Sequence, residues 1–274
     1  MDYTADELEC ISLSRKDEGV DLDVFVRNLT AQGIIAVTKK SQRYPKQLLN
    51  LENPPVVLYC RGNLELLKRP AVAIVGTRDC TRYGQDVASR FAKEFADRGL
   101  VVISGLADGI DTASHLGAMP CTIGVLGNGL NIYYPKANTK LQKDMFEKAL
   151  VISEFLPNAQ PTRFNFPHRN RIVAALASAL LIVEADIKSG TMITRDWALD
   201  LGIDVYCVPG PITSTASRGT NQMIKEGGMV ATCADDVLAS FGTFEKSKET
   251  IDAYIQLSFD EKSVLDLLKK GEPL

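Results

Sequence analysis

From about residue 70 onward the chain repeats one pattern: a short, nearly continuous apolar run, then a stretch with helical periodicity. The runs are AVAIVG (71–76), LVVISG (100–105), TIGVLG (122–127), LVISEF (150–155), ALLIVEA (179–185), DVYCVPG (204–210) and MVATC (229–233). Such Val- and Ile-rich runs suit strands covered on both faces, as the strands of a parallel sheet are. Between the first two, RYGQDVASRFAKEFADRG sets Val87, Phe91 and Phe95 four apart with Ala88 and Ala92 beside them. That makes one apolar helical stripe, closed by Gly99. Alternation repeated this often specifies an extended Rossmann-like α/β fold, a parallel sheet with helices on both faces, over residues 66–242.

The flanks read differently. Residues 1–65 hold short helical pieces such as DLDVFVRNLTAQG and then YPKQLLNLENPPVVLYCRGN, punctuated by prolines and Gly62. They are expected to form a small helical, SAM-like or similar, domain with a connecting strand. Residues 243–274 begin as a charged linker and end in SVLDLLKKGEPL, one amphipathic helix that cannot bury its stripe alone. The expectation there is the start of a truncated further module.

Composition narrows the function classes. The chain has 274 residues, 45% apolar and 24% charged, an ordinary globular balance. No apolar run reaches the roughly 18–20 residues of a membrane span. The acidic opening MDYTADELEC lacks the pattern of a signal peptide, so a cytoplasmic protein is expected. The six cysteines include no C-x-x-C pair and read as free thiols. The two histidines have no metal-ligand spacing, so no metal site is expected. A net charge of −3 means that any nucleic acid must be held by a local basic pocket.

Open parallel sheets bind ligands beyond the carboxyl ends of their strands, near a topological switch point. Here those ends carry Gly76-Thr77-Arg78, then Ser104-Gly105 leading to Gly109, then Lys136, and later Ser189-Gly190-Thr191. Glycine lets a ligand approach the backbone, and helix N-termini present free N–H groups to anions. Asp111 and Ser189 fit equally well as helix N-caps. A dinucleotide site would need G-x-G-x-x-G in the first turn and an acid after the second strand. The sequence gives GTRDCTRYG and Ser104 instead, so no cofactor is expected. The segment RFNFPHRNR (163–171) holds three arginines without an acid. Arg169, Asn170 and Arg171 could complete a cationic pocket, or the arginines could simply salt-bridge a helix start. Phe164 and Phe166 are flat surfaces on which bases could stack. His115 lies four residues after Asp111 and could pair with it or pack a helix. Neither Ser104 nor Ser189 sits in a G-x-S-x-G elbow, and no carboxylate pair is spaced for acid–base work. The chain is not expected to be an enzyme.

Read in order, GTRDCTRYG, VVISGLADGIDTASHLGAM, TIGVLGNGLNIYYPKAN, SEF, FPHRNRIVAALASALLIVEA, SGTMIT and VPGPITSTASRGTNQMI resemble the DNA-processing protein A (DprA, also called Smf) family over about residues 40–240. The resemblance implies a single-stranded DNA-binding protein that protects incoming DNA. It also implies a homodimer that loads the RecA recombinase during natural transformation and recombination. The family's first-turn glycine and arginine fall on Gly76 and Arg78, with Thr77 replacing a serine. Its other basic positions fall on Lys136, Arg169 and Arg171. One departure stands out: GLARGID reads GLADGID, with Asp108 in the customary arginine position. That substitution implies either weaker DNA binding or a side chain that points away. Many members end in a winged-helix module, whose opening helix SVLDLLKKGEPL resembles. The fold is also shared with nucleoside-monophosphate phosphoribohydrolases, the alternative reading, with Ser189 or Glu184 at the chemistry. Their P-G-G-x-G-T-x-x-E motif has Thr194 in place of the glutamate here.

Overall fold

A computed structural model describes residues 3–15 and 21–241. The seven apolar runs all form strands: β3 (Ala71–Val75), β4 (Val101–Ser104), β5 (Thr122–Val125), β6 (Leu150–Ser153), β7 (Ala179–Ile182), β8 (Asp204–Cys207) and β9 (Met229–Val230). They pair in parallel in the order β6-β5-β4-β3-β7-β8-β9. Two earlier strands, β1 (Ile35–Thr38) and β2 (Val57–Gly62), extend the β6 side with antiparallel pairing, which makes a nine-stranded sheet.

The stretch expected as a separate small domain is therefore continuous with the sheet. Its helices α1 (Ala5–Ser14) and α2 (Leu22–Ala31) place Ile11 and Leu29 in the same core cluster as β2, β5 and β6. The expected domain boundary near residue 65 does not divide this core, because β2 hydrogen-bonds directly to β6. All described residues belong to one compact unit. The expected linker and module at 243–274 lie outside the described residues.

Alternation along β3 shows why the strands read as continuous apolar runs. Ala71, Ala73 and Val75 enter one core, whereas Val72 and Ile74 enter another on the opposite face. On the Val72 face lie α3 (Arg82–Asp97) and α4 (Ile110–Ala118), with Phe91, Phe95 and Ile110 buried. On the other face lie α5 (Thr139–Lys148), α6 (Asn165–Ala175) and α7 (Thr191–Asp200). The remaining helices are α8 (Arg218–Lys225) and α9 (Ala234–Leu238). The chain winds from β3 out to β6, then returns to place β7 on the far side of β3. The switch point therefore falls between β3 and β7, where the following turns diverge and leave a crevice. No helix among the described residues is long and apolar enough to cross a membrane.

Candidate nucleic-acid interface

An open cleft of about 690 Å³ occupies that crevice. Gly76, Thr77 and Arg78 line it from the turn after β3, and Gly105 from the end of β4. Phe166, Arg169 and Asn170 enter from the first turns of α6, and Ser189, Gly190 and Thr191 from the start of α7. Ten of the sequence-derived candidates therefore share one wall system. Arg78 is exposed, with its guanidinium 5.6 Å from the Phe166 ring centroid. Tyr134 lies against the same ring at 5.3 Å and 31°. The cation and the aromatic pair thus stand together, a positive charge beside two flat rings.

Other candidates are used internally. Ser104 is fully buried and donates its hydroxyl to the Ile74 carbonyl, which ties β4 to β3. Gly109 has φ +77°, and a Cβ there would meet the Arg78 and Thr77 carbonyls at 2.4 and 2.5 Å. Its role is to let α4 start against the Arg78 turn. Gly105 faces the Arg169 guanidinium, 2.4 Å from where its Cβ would be. These two glycines make room for other parts of the protein, Gly105 while also lining the cleft. Gly190 alone among the candidate glycines has nothing within 4 Å of a built Cβ. It is the N-cap of α7, whose first turn holds no acid, and Ser189 Oγ accepts from Thr191 N at 3.2 Å.

Arg171 is buried and points away from the cleft, where it pairs with Glu154 and donates to the Asn53 carbonyl at 3.0 Å. The salt-bridged alternative holds for this arginine. Burial pushes Glu154 up to about 7, against the pull of Arg171. Phe164 lies outside the cleft lining, 70% exposed, with the Arg163 guanidinium 4.7 Å from its ring centroid. His115 does not pair with Asp111. Its Nδ1 meets Thr122 Oγ1 at 2.7 Å, and burial pulls its pKa down to about 3.

Thr162 and Tyr134 were not among the sequence candidates, and Arg163 was counted only as one of three arginines in its segment; all three line the cleft. Two signals were available: Arg163 stands three residues before Phe166, and Tyr134 two before Lys136.

Comparison with known proteins fits this geometry to a family. The family described as DNA recombination-mediator protein A matches residues 35–242. DNA processing protein DprA of Streptococcus pneumoniae is 43% identical over 201 residues, covering 72% of this chain and 71% of that protein. The Bacillus subtilis DprA is 36% identical over 210 residues, 75% and 71%. The chain belongs to the DNA recombination-mediator protein A family. Protein Smf of Escherichia coli is 37% identical over 202 residues, 72% of this chain but 54% of that longer protein. Among solved structures, S. pneumoniae DprA superposes with a TM-score of 0.74 at 39% identity, covering 81% of this chain and 78% of the other. DprA of Helicobacter pylori, whose structure concerns its single-stranded DNA binding mode, gives 0.70 at 30% identity, covering 80% and 97%.

Two residues singled out by the family's motifs stand beside the main cleft. Lys136 is exposed at the start of a short 3-10 helix, outside the cleft lining. Asp108 is exposed and lines a smaller notch of about 30 Å³ with Arg78, Tyr134 and Phe166. The phosphoribohydrolase-like alternative loses its acid here. Thr194 is buried, and both carboxylate oxygens of Glu184 are taken by Thr81, through its N–H at 2.8 Å and hydroxyl at 2.6 Å.

Proposed function

We propose that this chain binds single-stranded DNA in the β3–β7 cleft without transforming it. The carrying observation is the opposition of the exposed Arg78, braced on Phe166, to the open Ser189-Gly190-Thr191 turn across the switch point. Arg78 holds phosphate, the Gly190 backbone admits it closely, and the Phe166–Tyr134 pair offers a face to a base. Lys136 extends the basic track beyond the cleft. The role in the cell follows the family: protection of incoming DNA and loading of the RecA recombinase in the cytoplasm, with the protein acting as a homodimer. The H. pylori relative, described by its single-strand binding mode, supports the first part of this reading.

The test is fluorescence anisotropy of a labelled oligo-dT titrated with the protein at several salt concentrations, beside a duplex and a nucleoside monophosphate. Salt-sensitive binding of the single strand in preference to the duplex is expected. Equal binding of duplex, or competition by the monophosphate at comparable concentration, counts against the proposal. Sedimentation of the protein and nucleation of RecA filaments on coated strands test the dimer and loading roles separately.

A further inference from the structure

We propose that Arg169 and Asp111 are positioning residues, two buried opposite charges that bracket Gly105 and fix the cleft wall without touching DNA. This inference rests on the single-strand reading above and separates Arg169 from the direct contacts. Arg169 is 4% exposed although it lines the cleft, and three of its five N–H donors, those of Nη1 and Nε, are spent inside the protein. Nη1 donates to the carbonyls of Gly105 and Val125, at the ends of adjacent strands β4 and β5. Nε donates to Asn170 Oδ1 at 3.2 Å. A side chain from α6 thus clamps two strand ends, and the helix carries Phe166 and Asn170 into the cleft.

From the other side, Asp111 fills the amide nest that a glycine turn would offer to a phosphate. Its Oδ2 accepts from Gly105 N at 3.1 Å and Ala107 N at 3.3 Å. Between them Leu106 adopts φ 58°, a left-handed conformation that a buried, branched side chain avoids unless its surroundings impose it. Those surroundings are visible. Asn138 Nδ2 donates to the Leu106 and Ala107 carbonyls at 3.1 Å each, and Thr112 Oγ1 to Ala107 at 2.7 Å. A phosphate at this nest would have to expel a carboxylate already there.

The two opposite charges act on each other across Gly105, with no direct ion pair between them. Burial raises the Asp111 carboxyl against the pull of Arg169, and burial lowers Arg169 to about 10, still cationic at neutral pH. Loss of either partner leaves a buried charge without its counterpart, a costlier state than loss of both.

The experiment compares Asp111→Asn, Arg169→Gln and the double variant in the oligo-dT salt titration, with Arg78→Ala as the contact control. Arg169→Gln is expected to weaken binding roughly tenfold while leaving the slope of log affinity against log salt unchanged. Arg78→Ala should reduce that slope by about 0.7. Asp111→Asn gives the sharper sign. It removes a negative charge from the cleft, so electrostatics alone predicts tighter binding, whereas positioning predicts weaker binding. The double variant should recover to within about threefold of the unchanged protein, because neither buried charge is then unmatched. Arg169→Met, also neutral, carries the same slope measurement if Arg169→Gln does not fold. A slope reduced by Arg169→Gln or Arg169→Met, tighter binding by Asp111→Asn, or a double variant no better than the singles overturns the proposal. Failure of the unchanged protein to bind oligo-dT overturns the single-strand reading itself, a result distinct from all three.

Discussion

The turn after β4 reads Ser-Gly-Leu-Ala-Asp-Gly, and the turn before α7 reads Lys-Ser-Gly-Thr. Both place small residues where a helix begins beyond a strand, and both match the requirements of an anion-binding turn. In the first, every role is taken: Ser104 ties β4 to β3, Gly105 makes room for Arg169, Asp111 occupies the amides, and Gly109 clears the Arg78 turn. In the second, Gly190 opens onto empty space and no acid stands in the first helical turn. The difference teaches that a glycine-rich strand end is a frame or a site according to whether the protein already supplies the anion.

Glycine replacement breaks the comparison most directly. Gly109→Ala would put a Cβ 2.4 Å from a backbone carbonyl at φ +77°. Strain and overlap together should cost about 3 kcal/mol, read as a fall in thermal or denaturant midpoint. Gly190→Ala sits at φ −59° with nothing within 4 Å, so stability should stay within about 0.5 kcal/mol. Its oligonucleotide affinity should fall all the same. Equal destabilisation by the two replacements, or undiminished DNA binding by Gly190→Ala, would dissolve the distinction between frame and site.

Acid should reveal the frame next. His115, on α4 behind the β4 turn, is fully buried and held to about 3. Its unfolded value is near 6.5, so between these limits the unfolded chain binds a proton that the folded one refuses. Stability from this group is complete above about pH 6.5 and is lost as pH falls toward 3, by about 1.4 kcal/mol per unit. His168, also lowered by burial, acts in the same sense, whereas the raised Asp111 and Glu154 act in the opposite one. The difference between the unchanged protein and His115→Gln in acid unfolding isolates the effect. Curves that remain parallel down to pH 4 would refute it.

Arg78→Ala follows in size. An exposed guanidinium on the open side should contribute one phosphate contact, seen as the slope reduction of about 0.7. An unchanged slope would move the phosphate track away from the β3 turn.

The fold was legible because period and length carry it. Seven runs of apolar residues became seven strands, and the Val87–Phe91–Phe95 stripe became α3. β1 was not read, since IAVT stands outside the strand–helix alternation and draws its register from antiparallel pairing with β2. The continuity of residues 1–65 with the sheet was equally hidden, because β2–β6 pairing joins segments about ninety residues apart. Within the site, residue type marked the right neighbourhood but not direction. Arg169 and Arg171 are two positions apart on α6, and their side chains leave it toward different carbonyls, Gly105 and Asn53. No spacing rule distinguishes a guanidinium aimed at solvent from one aimed at a backbone oxygen across the chain.

The smallest expected effect belongs to Asp108. Its carboxylate is exposed in the notch beside Arg78, so water and salt screen it, and a nearby phosphate should feel only a weak repulsion. Asp108→Ala should tighten oligo-dT binding by about twofold at low salt, a gain that fades as salt rises. Asp108→Arg should add to that gain and steepen the salt slope, by as much as about 0.7 if the new side chain reaches a phosphate. The opposite sign would be more informative. The notch also contains Tyr134, Phe166 and Asn128, and the Asn128 Oδ1 is buried with no protein partner. If Asp108→Ala weakens binding, the carboxylate is accepting an N–H from a base edge in this notch, and the base face of the strand must turn toward β5 and away from α7.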